Sequence, residues 1–143
     1  MIRTIILEGV DRTGKDSIRH EIVKQSNGKI VVMCRSYISQ IVYSRIYGRN
    51  INEKEYFNLI KKTKKLGYEY YILTADLNIL LERFKQTNEP MIDIKRDLIA
   101  FDNIAKELNI KVINTSFKTP SELAKEIIWK FLLQVNLEQL QVL

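Results

Sequence analysis

Apolar and polar residues follow two rhythms along this chain, which predict alternating strands and helices. Near-continuous apolar runs are typical of parallel strands that are buried on both faces. Such runs predict strands at residues 2–8, 30–33, 70–74 and 110–113. Elsewhere, apolar residues recur roughly every three to four positions, which indicates helices. These helices are predicted at residues 16–25, 37–47, 52–65, 76–85, 94–108 and 119–134.

The first two predicted strands are separated by one helix, which is the pattern of a βαβ unit with parallel strands. Because the alternation continues, we predict an α/β fold with a mostly parallel sheet of about four or five strands. We expect the 143 residues to form a single domain, residues 1–143. The strand at 30–33 is expected to be fully buried. Val23, Leu66 and Leu132 are expected on the buried faces of their helices.

Capping residues indicate where several helices begin. Asn52 stands three positions before Glu55, in the arrangement of a capping box. Asp76 precedes the fourth predicted helix, and Thr119 is followed by Pro120, a residue favoured at the first helical position. These helices are therefore expected to start at the named residues.

The first predicted strand ends in a glycine-containing segment that leads into the first helix. Residues 9–15 read GVDRTGK, and Asp16 and Ser17 follow. The glycines allow the backbone to curl so that N–H groups face a phosphate, Lys15 reaches the outer phosphates, and the helix N-terminus adds its positive dipole. We therefore predict a P-loop in a three-layer α/β/α fold of the P-loop NTPase type. Its predicted nucleotide-binding residues are Gly9, Thr13, Gly14, Lys15, Asp16 and Ser17.

Asp16 departs from the usual motif, in which the lysine is followed by a hydroxyl residue that binds Mg²⁺. An acidic side chain at this place either ligates the metal or repels the phosphates. Mg²⁺ prefers hard oxygen ligands. Asp16 and Ser17 are therefore the candidate metal ligands.

Composition and charge narrow the range of partners. Apolar residues make up 45% and charged residues 28% of the chain, as in a folded soluble protein. No apolar run approaches the roughly twenty residues of a membrane span, so we expect a cytoplasmic protein without membrane contact. The single Cys34 agrees with that location. A net charge of +6 suits a polyanion such as a nucleotide, and the scattered basic residues make nucleic acid a weaker expectation.

With these residues placed, the chain resembles the thymidylate kinase family of nucleoside monophosphate kinases, which is close to the deoxynucleoside kinases. The segment 9–15 resembles the family variant with an acid and an arginine inside the P-loop. Arg35-Ser36-Tyr37, with Ser39 beyond, is similar to the family's Asp-Arg-Tyr/Ser motif. Leu81-Glu82-Arg83 precedes residues 86–93, a stretch that would be the lid. The resemblance implies ATP and Mg²⁺ as cofactors and nucleotides as substrates.

The resemblance also implies a role for each matching residue. Lys15 and the loop amides would hold the phosphates of ATP, and Arg12 would lie against the transferring phosphoryl group. Arg35 would grip the acceptor phosphate, and Asp11 would accept a hydrogen bond from the acceptor's sugar hydroxyl. Glu8 would orient the metal-bound water or the acceptor. Lys15, Arg12, Glu8 and Arg35 are thus the candidate catalytic residues.

Nucleobases need further contacts. Three polar residues after the last strand are placed to line the adenine, namely Asn114, Thr115 and Ser116. The short segment before the second strand lacks the residues that surround the acceptor base in the family. The acceptor base is then expected to stack on aromatic rings. The alternative is that these rings only pack against other side chains. The candidate rings are Tyr37, Tyr43 and Tyr47.

We predict ATP-dependent phosphoryl transfer to a (deoxy)nucleoside monophosphate. One alternative is a deoxynucleoside kinase, in which Glu8 acts as the base on a sugar hydroxyl. Another is a nucleotide-binding protein that has lost catalysis and acts through a protein partner, since Cys34 stands where the family has an aspartate and Asp16 replaces the hydroxyl residue. A homodimer is left open. The apolar tail after Gln134 either packs back on the domain or meets a partner.

Overall fold

The computed structural model describes residues 3–87 and 93–142, with side chains up to residue 136. Strands and helices alternate along most of this length. The strands are β1 (Arg3–Gly9), β2 (Ile30–Cys34), β3 (Glu69–Thr74) and β4 (Lys111–Asn114). The helices are α1 (Lys15–Gln25), α2 (Tyr37–Tyr47), α3 (Glu53–Lys65), α4 (Leu77–Lys85), α5 (Ile94–Leu108) and α6 (Pro120–Val142). None of these helices is both long and apolar enough to cross a membrane.

The described strands form one parallel sheet in the order β2-β1-β3-β4. One face packs against α2, α3, α4 and α5 through a core that includes Ile6 and Ile72. The other face packs against α1 and α6 through a core that includes Ile5 and Leu7. The α/β prediction is therefore confirmed, with helices on both faces of a parallel sheet, as βαβ crossovers require.

β1 lies at the centre of the site because it pairs with both β2 and β3. It ends at Gly9, whose φ is 133°. A Cβ atom at this residue would lie 2.2 Å from the carbonyl oxygen of Leu73, so only glycine fits the close approach of β3. Beside it, the amide of Arg35 donates to the carbonyl of Leu7 at 3.1 Å. The ends of β1 and β2 therefore open at the same edge of the sheet.

β2 differs from its prediction because it is an edge strand. Ile30 and Val32 face the α1 and α6 side and are buried, but Val31 and Met33 are 43% and 47% exposed. The prediction of a fully buried strand was therefore wrong. An apolar run indicates a strand but carries no information on how well each face will be covered.

Three apolar side chains predicted to face inward are exposed, namely Val23, Leu66 and Leu132. Val23 and Leu132 each follow a truly buried residue, Ile22 and Phe131, by one position. One position turns a side chain by about 100° around a helix, which takes it off the buried stripe. Leu66 lies beyond the last residue of α3 as its C-cap, so the helical period no longer applies to it.

The capping predictions are mostly confirmed. Asn52 accepts a hydrogen bond from the amide of Glu55, and Thr119 accepts one from the amide of Glu122. Asp76 holds the N-cap position of α4 without capping an amide there. The last helix runs past its predicted end at 134, to Val142. The core of the predicted lid, residues 88–92, and the packing of the apolar tail side chains from 137 onward lie outside the described residues.

Candidate active site

A cleft of about 900 Å³ opens at the carboxyl edge of β1 and β2. In parallel α/β sheets this is the edge where ligands bind. The cleft is lined by Asp11, Arg12, Gly14, Lys15, Asp16, Ser17, Arg19, Cys34, Arg35, Arg83, Gln86, Thr87 and Pro120. Four of the six predicted P-loop residues, Gly14, Lys15, Asp16 and Ser17, therefore line the cleft together with Arg35, which follows a different strand. The other two, Gly9 and Thr13, are buried and are not among the described lining of the cleft.

The N-terminus of α1 points its amides toward this cleft. Gly14 is the N-cap residue, with a left-handed backbone at φ 92°, and within the described part of the chain no side chain caps the helix. Uncapped amides at a helix start carry a partial positive charge and bind anions well. The local geometry is therefore suited to a phosphate group.

Lys15 lies folded against the loop itself. Its Nζ donates to the carbonyl oxygens of Gly9 and Val10, both at 2.8 Å, and the side chain is buried. Burial, together with the smaller effect of the nearby charge of Arg35, lowers the pKa of Lys15 to about 8. The hydroxyl of Thr13 donates to the same Val10 carbonyl at 2.8 Å. Lys15 and Thr13 thus brace the loop in its curled shape.

Arg12 forms the tip of the loop. Its backbone is left-handed, with φ 67°, a conformation that costs a residue other than glycine roughly 1 kcal/mol. Its guanidinium lies 5.9 Å from the ring centre of Phe84 in α4. Its carbonyl oxygen accepts a hydrogen bond from Nη1 of Arg83 at 2.8 Å. Both the main chain and the side chain of Arg12 are thereby in contact with the end of α4.

Asp11 and Arg35 form an ion pair across the cleft. The guanidinium of Arg35 also lies 5.8 Å from the ring centre of Tyr43. Arg35 has a left-handed backbone, with φ 80°. Both partners of the pair are partly exposed, so an anionic ligand can reach the guanidinium.

A second cavity of about 500 Å³ shares Arg35 with the cleft. It is lined by Arg35, Ser39, Gln40, Tyr43, Ser44, Arg49, Ile51 and Tyr56. Tyr43 is the one predicted stacking ring among these residues. Tyr37 packs against Tyr56 at 5.6 Å between ring centres, and Tyr47 stacks on Tyr43 at 6.3 Å. Among the residues that line this cavity, Arg35 also lines the first cleft.

Glu8 lies beneath the loop rather than in either space. It is fully buried, and the hydroxyl of Ser39 donates to one of its carboxylate oxygens while the amide of Ser39 donates to the other at 3.4 Å. Burial raises the pKa of Glu8. Glu8 is absent from the described linings of both spaces. In this conformation it anchors the start of α2 to β1, and its catalytic role stays a prediction.

The predicted metal ligands Asp16 and Ser17 are exposed in the cleft. Asp16 is paired with Arg19 at 3.3 Å, one turn along α1. The described residues contain no group of three or more acidic, histidine or cysteine side chains able to hold a metal. Mg²⁺ commonly uses one or two protein oxygens and takes the rest from phosphates and water. The donor set therefore fits a metal that arrives with a nucleotide.

The predicted adenine residues hold loops together. Thr115 is buried, and its hydroxyl donates to the carbonyl of Thr74 at 3.2 Å. Ser116 accepts from the amide of Asp76 at 2.7 Å, and the side chain of Asn114 donates to Asp76 at 3.0 Å. None of these three residues is among the described lining of the cleft, so their contact with adenine stays a prediction.

Cys34 and Arg83 line the cleft, although the sequence analysis assigned no site role to either residue. Cys34 ends β2 and forms part of the wall, and burial raises its pKa, so it stays a thiol. Arg83 belongs to a segment that resembles the family only weakly, yet it reaches both Arg12 and the carbonyl of Thr115, the latter at 3.3 Å. Its place before the predicted lid was the one available signal.

No protein-family model and no curated protein matches this chain. Solved structures do match it. The YorR protein from Bacillus subtilis, in complex with phosphorylated GDP, is similar with a TM-score of 0.76 at 17% identity, over 93% of this chain and 98% of that one. Thymidylate kinase from Candida albicans is similar with a TM-score of 0.59 at 12% identity, over 94% and 92%. A gluconokinase from Sinorhizobium meliloti 1021 is similar with a TM-score of 0.57 at 12% identity, over 97% of each chain.

At these identities the likeness concerns the fold alone. It confirms the three-layer α/β/α fold of the P-loop NTPase type that the sequence predicts. It does not single out thymidylate kinase, because two of the matches have other names. Fold and function are separable in such architectures, so the substrate has to be argued from the site.

Proposed function

We propose that this chain transfers the γ-phosphoryl group of ATP to the phosphate of a (deoxy)nucleoside monophosphate. The observation that carries the proposal is the position of Arg35, which lines both the phosphate cleft and the second cavity. One guanidinium between two ligand spaces is suited to hold an anionic acceptor next to an anionic donor. The fold shared with P-loop kinases supports phosphoryl transfer as the reaction class.

The P-loop side suits the donor. The uncapped amides of α1 and the ammonium of Lys15 supply the positive field that the phosphates of ATP require. Arg12 at the loop tip lines the same cleft and would neutralise charge that spreads over the transferring group. Mg²⁺, held by Asp16 and Ser17 together with the phosphates, would supply further charge neutralisation.

The Arg35 side suits an acceptor that carries its own phosphate. Arg35 offers a planar fork of donors, which matches phosphate oxygens, and Tyr43 offers a ring face beside it. The Asp11 carboxylate would then leave the guanidinium partly and accept from a sugar hydroxyl. An acceptor phosphate oxygen attacks the γ-phosphorus, the bond from that phosphorus to the β-phosphate oxygen breaks, and ADP leaves.

Burial of Glu8 weighs against a hydroxyl acceptor. A sugar hydroxyl must lose a proton as it attacks, which calls for a general base within hydrogen-bond reach. Glu8 is fully buried and accepts from Ser39. A monophosphate oxygen is already anionic and needs no such base. The deoxynucleoside kinase alternative is therefore the weaker one.

The test is label transfer from γ-labelled ATP with Mg²⁺ to matched acceptor pairs, each a nucleoside and its monophosphate. Both sugars and all common bases belong in the panel, including guanine, since the YorR structure holds phosphorylated GDP. We expect labelled diphosphates from one or more monophosphates. Label on nucleosides would establish the deoxynucleoside kinase alternative. ATP binding without transfer to any acceptor would establish the non-catalytic one, which the pairing of Asp16 with Arg19 favours.

A further inference from the structure

Arg83 contacts the main chain of two separate loops at the phosphate cleft. Its Nη1 donates to the carbonyl of Arg12 at 2.8 Å, and its Nη2 donates to the carbonyl of Thr115 at 3.3 Å. The two acceptors lie 71 and 32 positions away along the chain. A single guanidinium therefore connects the tip of the P-loop with the loop after β4.

The second of these loops is firmly tied to the sheet. The amide of Thr115 donates to the carbonyl of Thr74 at 2.8 Å, and its hydroxyl donates to the same oxygen at 3.2 Å. Thr74 is the last residue of β3. A chain of hydrogen bonds through Arg83 and Thr115 thus links the carbonyl of Arg12 to the end of the central strand β3.

Arg12 is the residue that needs such support. Its left-handed backbone is unfavourable for a side chain with a Cβ atom, so the loop tip requires outside contacts to keep this shape. Phe84, the neighbour of Arg83 in α4, lies under the guanidinium of Arg12. The same helix end therefore contacts the main chain and the side chain of Arg12.

We propose that Arg83 is a positioning residue, which fixes the backbone of Arg12 so that the Arg12 guanidinium meets the transferring phosphoryl group. The inference rests on the proposed function. In this role Arg83 acts through Arg12 and does not itself contact the nucleotide. Lysine cannot replace it, since a single ammonium lacks the planar fork that reaches two carbonyls at once.

A double-mutant cycle separates the two roles. Arg83→Lys keeps the charge and should lower kcat by on the order of 10- to 100-fold with less than about a threefold change in KM for ATP, as expected for a misplaced catalytic group. In an Arg12→Ala background the same change should alter kcat by less than about twofold, because the group it positions is gone. Additive losses would overturn the proposal and place Arg83 on the substrate. Lys85→Gln, on the same helix and exposed, should leave kinetics unchanged.

Amide hydrogen exchange gives a readout that does not depend on turnover. Exchange over residues 9–17 of the nucleotide-free protein should become faster in Arg83→Lys, because the loop tip loses its tie to the sheet. Arg19→Lys is the control, because it alters another cleft arginine, which pairs with Asp16 and, among the described residues, donates to no P-loop carbonyl. This variant should leave the exchange rate over residues 9–17 unchanged. Unchanged exchange in Arg83→Lys overturns the proposal. If the wild-type chain shows no turnover but exchange is faster in Arg83→Lys, the proposed function is refuted, while the structural role of Arg83 in holding the loop tip is supported.

Discussion

Lys15 is largely buried at the cleft, so we expect phosphate binding by its ammonium to depend on pH. Burial lowers its pKa to about 8, so the ammonium of the free protein loses its proton as the pH rises through that value. A neutral amine attracts phosphate far less. We predict that ATP affinity, measured by calorimetry from about pH 7 to pH 9.5, falls above pH 8. Lys15→Met should bind weakly at every pH. An affinity of the wild-type chain that is flat over this range would contradict the assignment.

Gly9 permits the close contact of β1 and β3 below the loop. We predict that Gly9→Ala lowers the free energy of unfolding by roughly 2–4 kcal/mol, because its Cβ would lie 2.2 Å from a main-chain oxygen and its backbone is left-handed. Gly28→Ala is the matched control. It shares a positive φ but has open space around the added Cβ, so it should cost only about 1 kcal/mol. Equal losses in denaturant titrations would show that crowding is unimportant.

Residues of the P-loop could be identified from sequence because their chemistry depends on neighbours in the chain. Lys15 donates to carbonyls five and six positions away, and Gly14 occupies the N-cap position of the helix that follows it. Arg83 could not be identified in this way, since its partner Arg12 lies 71 positions distant. The hydrogen bond from Ser39 to Glu8 could not be predicted either, because Ser39 lies 31 positions away in α2.

The strand β2 shows how element position controls the cost of a substitution. Val31 and Val32 are adjacent and chemically identical, but Val31 is 43% and Val32 8% exposed. Val32→Thr buries a hydroxyl and should lower the free energy of unfolding by roughly 1–2 kcal/mol. Val31→Thr should change it by less than about 0.5 kcal/mol. Thermal or denaturant unfolding of both variants checks this. Equal losses would mean that both faces of β2 are covered.

Helix bounds followed from local signals. The predicted helix at 94–108 is α5 (Ile94–Leu108), and the start of α6 follows from Thr119 and Pro120. These signals are local because caps act within one helical turn. The order of strands in the sheet depends on contacts far apart in sequence. The exposed face of the edge strand β2 was consequently missed.

At the scale of the whole molecule, the parallel sheet brings the ends of β1 and β2 to one edge. The P-loop follows β1, and Arg35 follows β2, so the cleft and the second cavity both reach Arg35, and we propose that they hold the donor and the acceptor. The P-loop kinase fold alone leaves the acceptor open, because it is shared with proteins of different names. The proposed function therefore rests on the cleft, the second cavity and the Arg35 side chain that lines both.

The most direct measurement is the kinetic effect of Arg35→Ala on the best monophosphate acceptor and on ATP. We predict that KM for the monophosphate rises on the order of 10- to 100-fold, because the acceptor phosphate loses its bidentate partner, while KM for ATP changes by less than about threefold. Arg35→Lys keeps the charge but not the planar fork of donors, so its KM for the monophosphate should lie between the values of the wild type and of Arg35→Ala. A variant in which ATP loses affinity and the monophosphate does not would contradict the account.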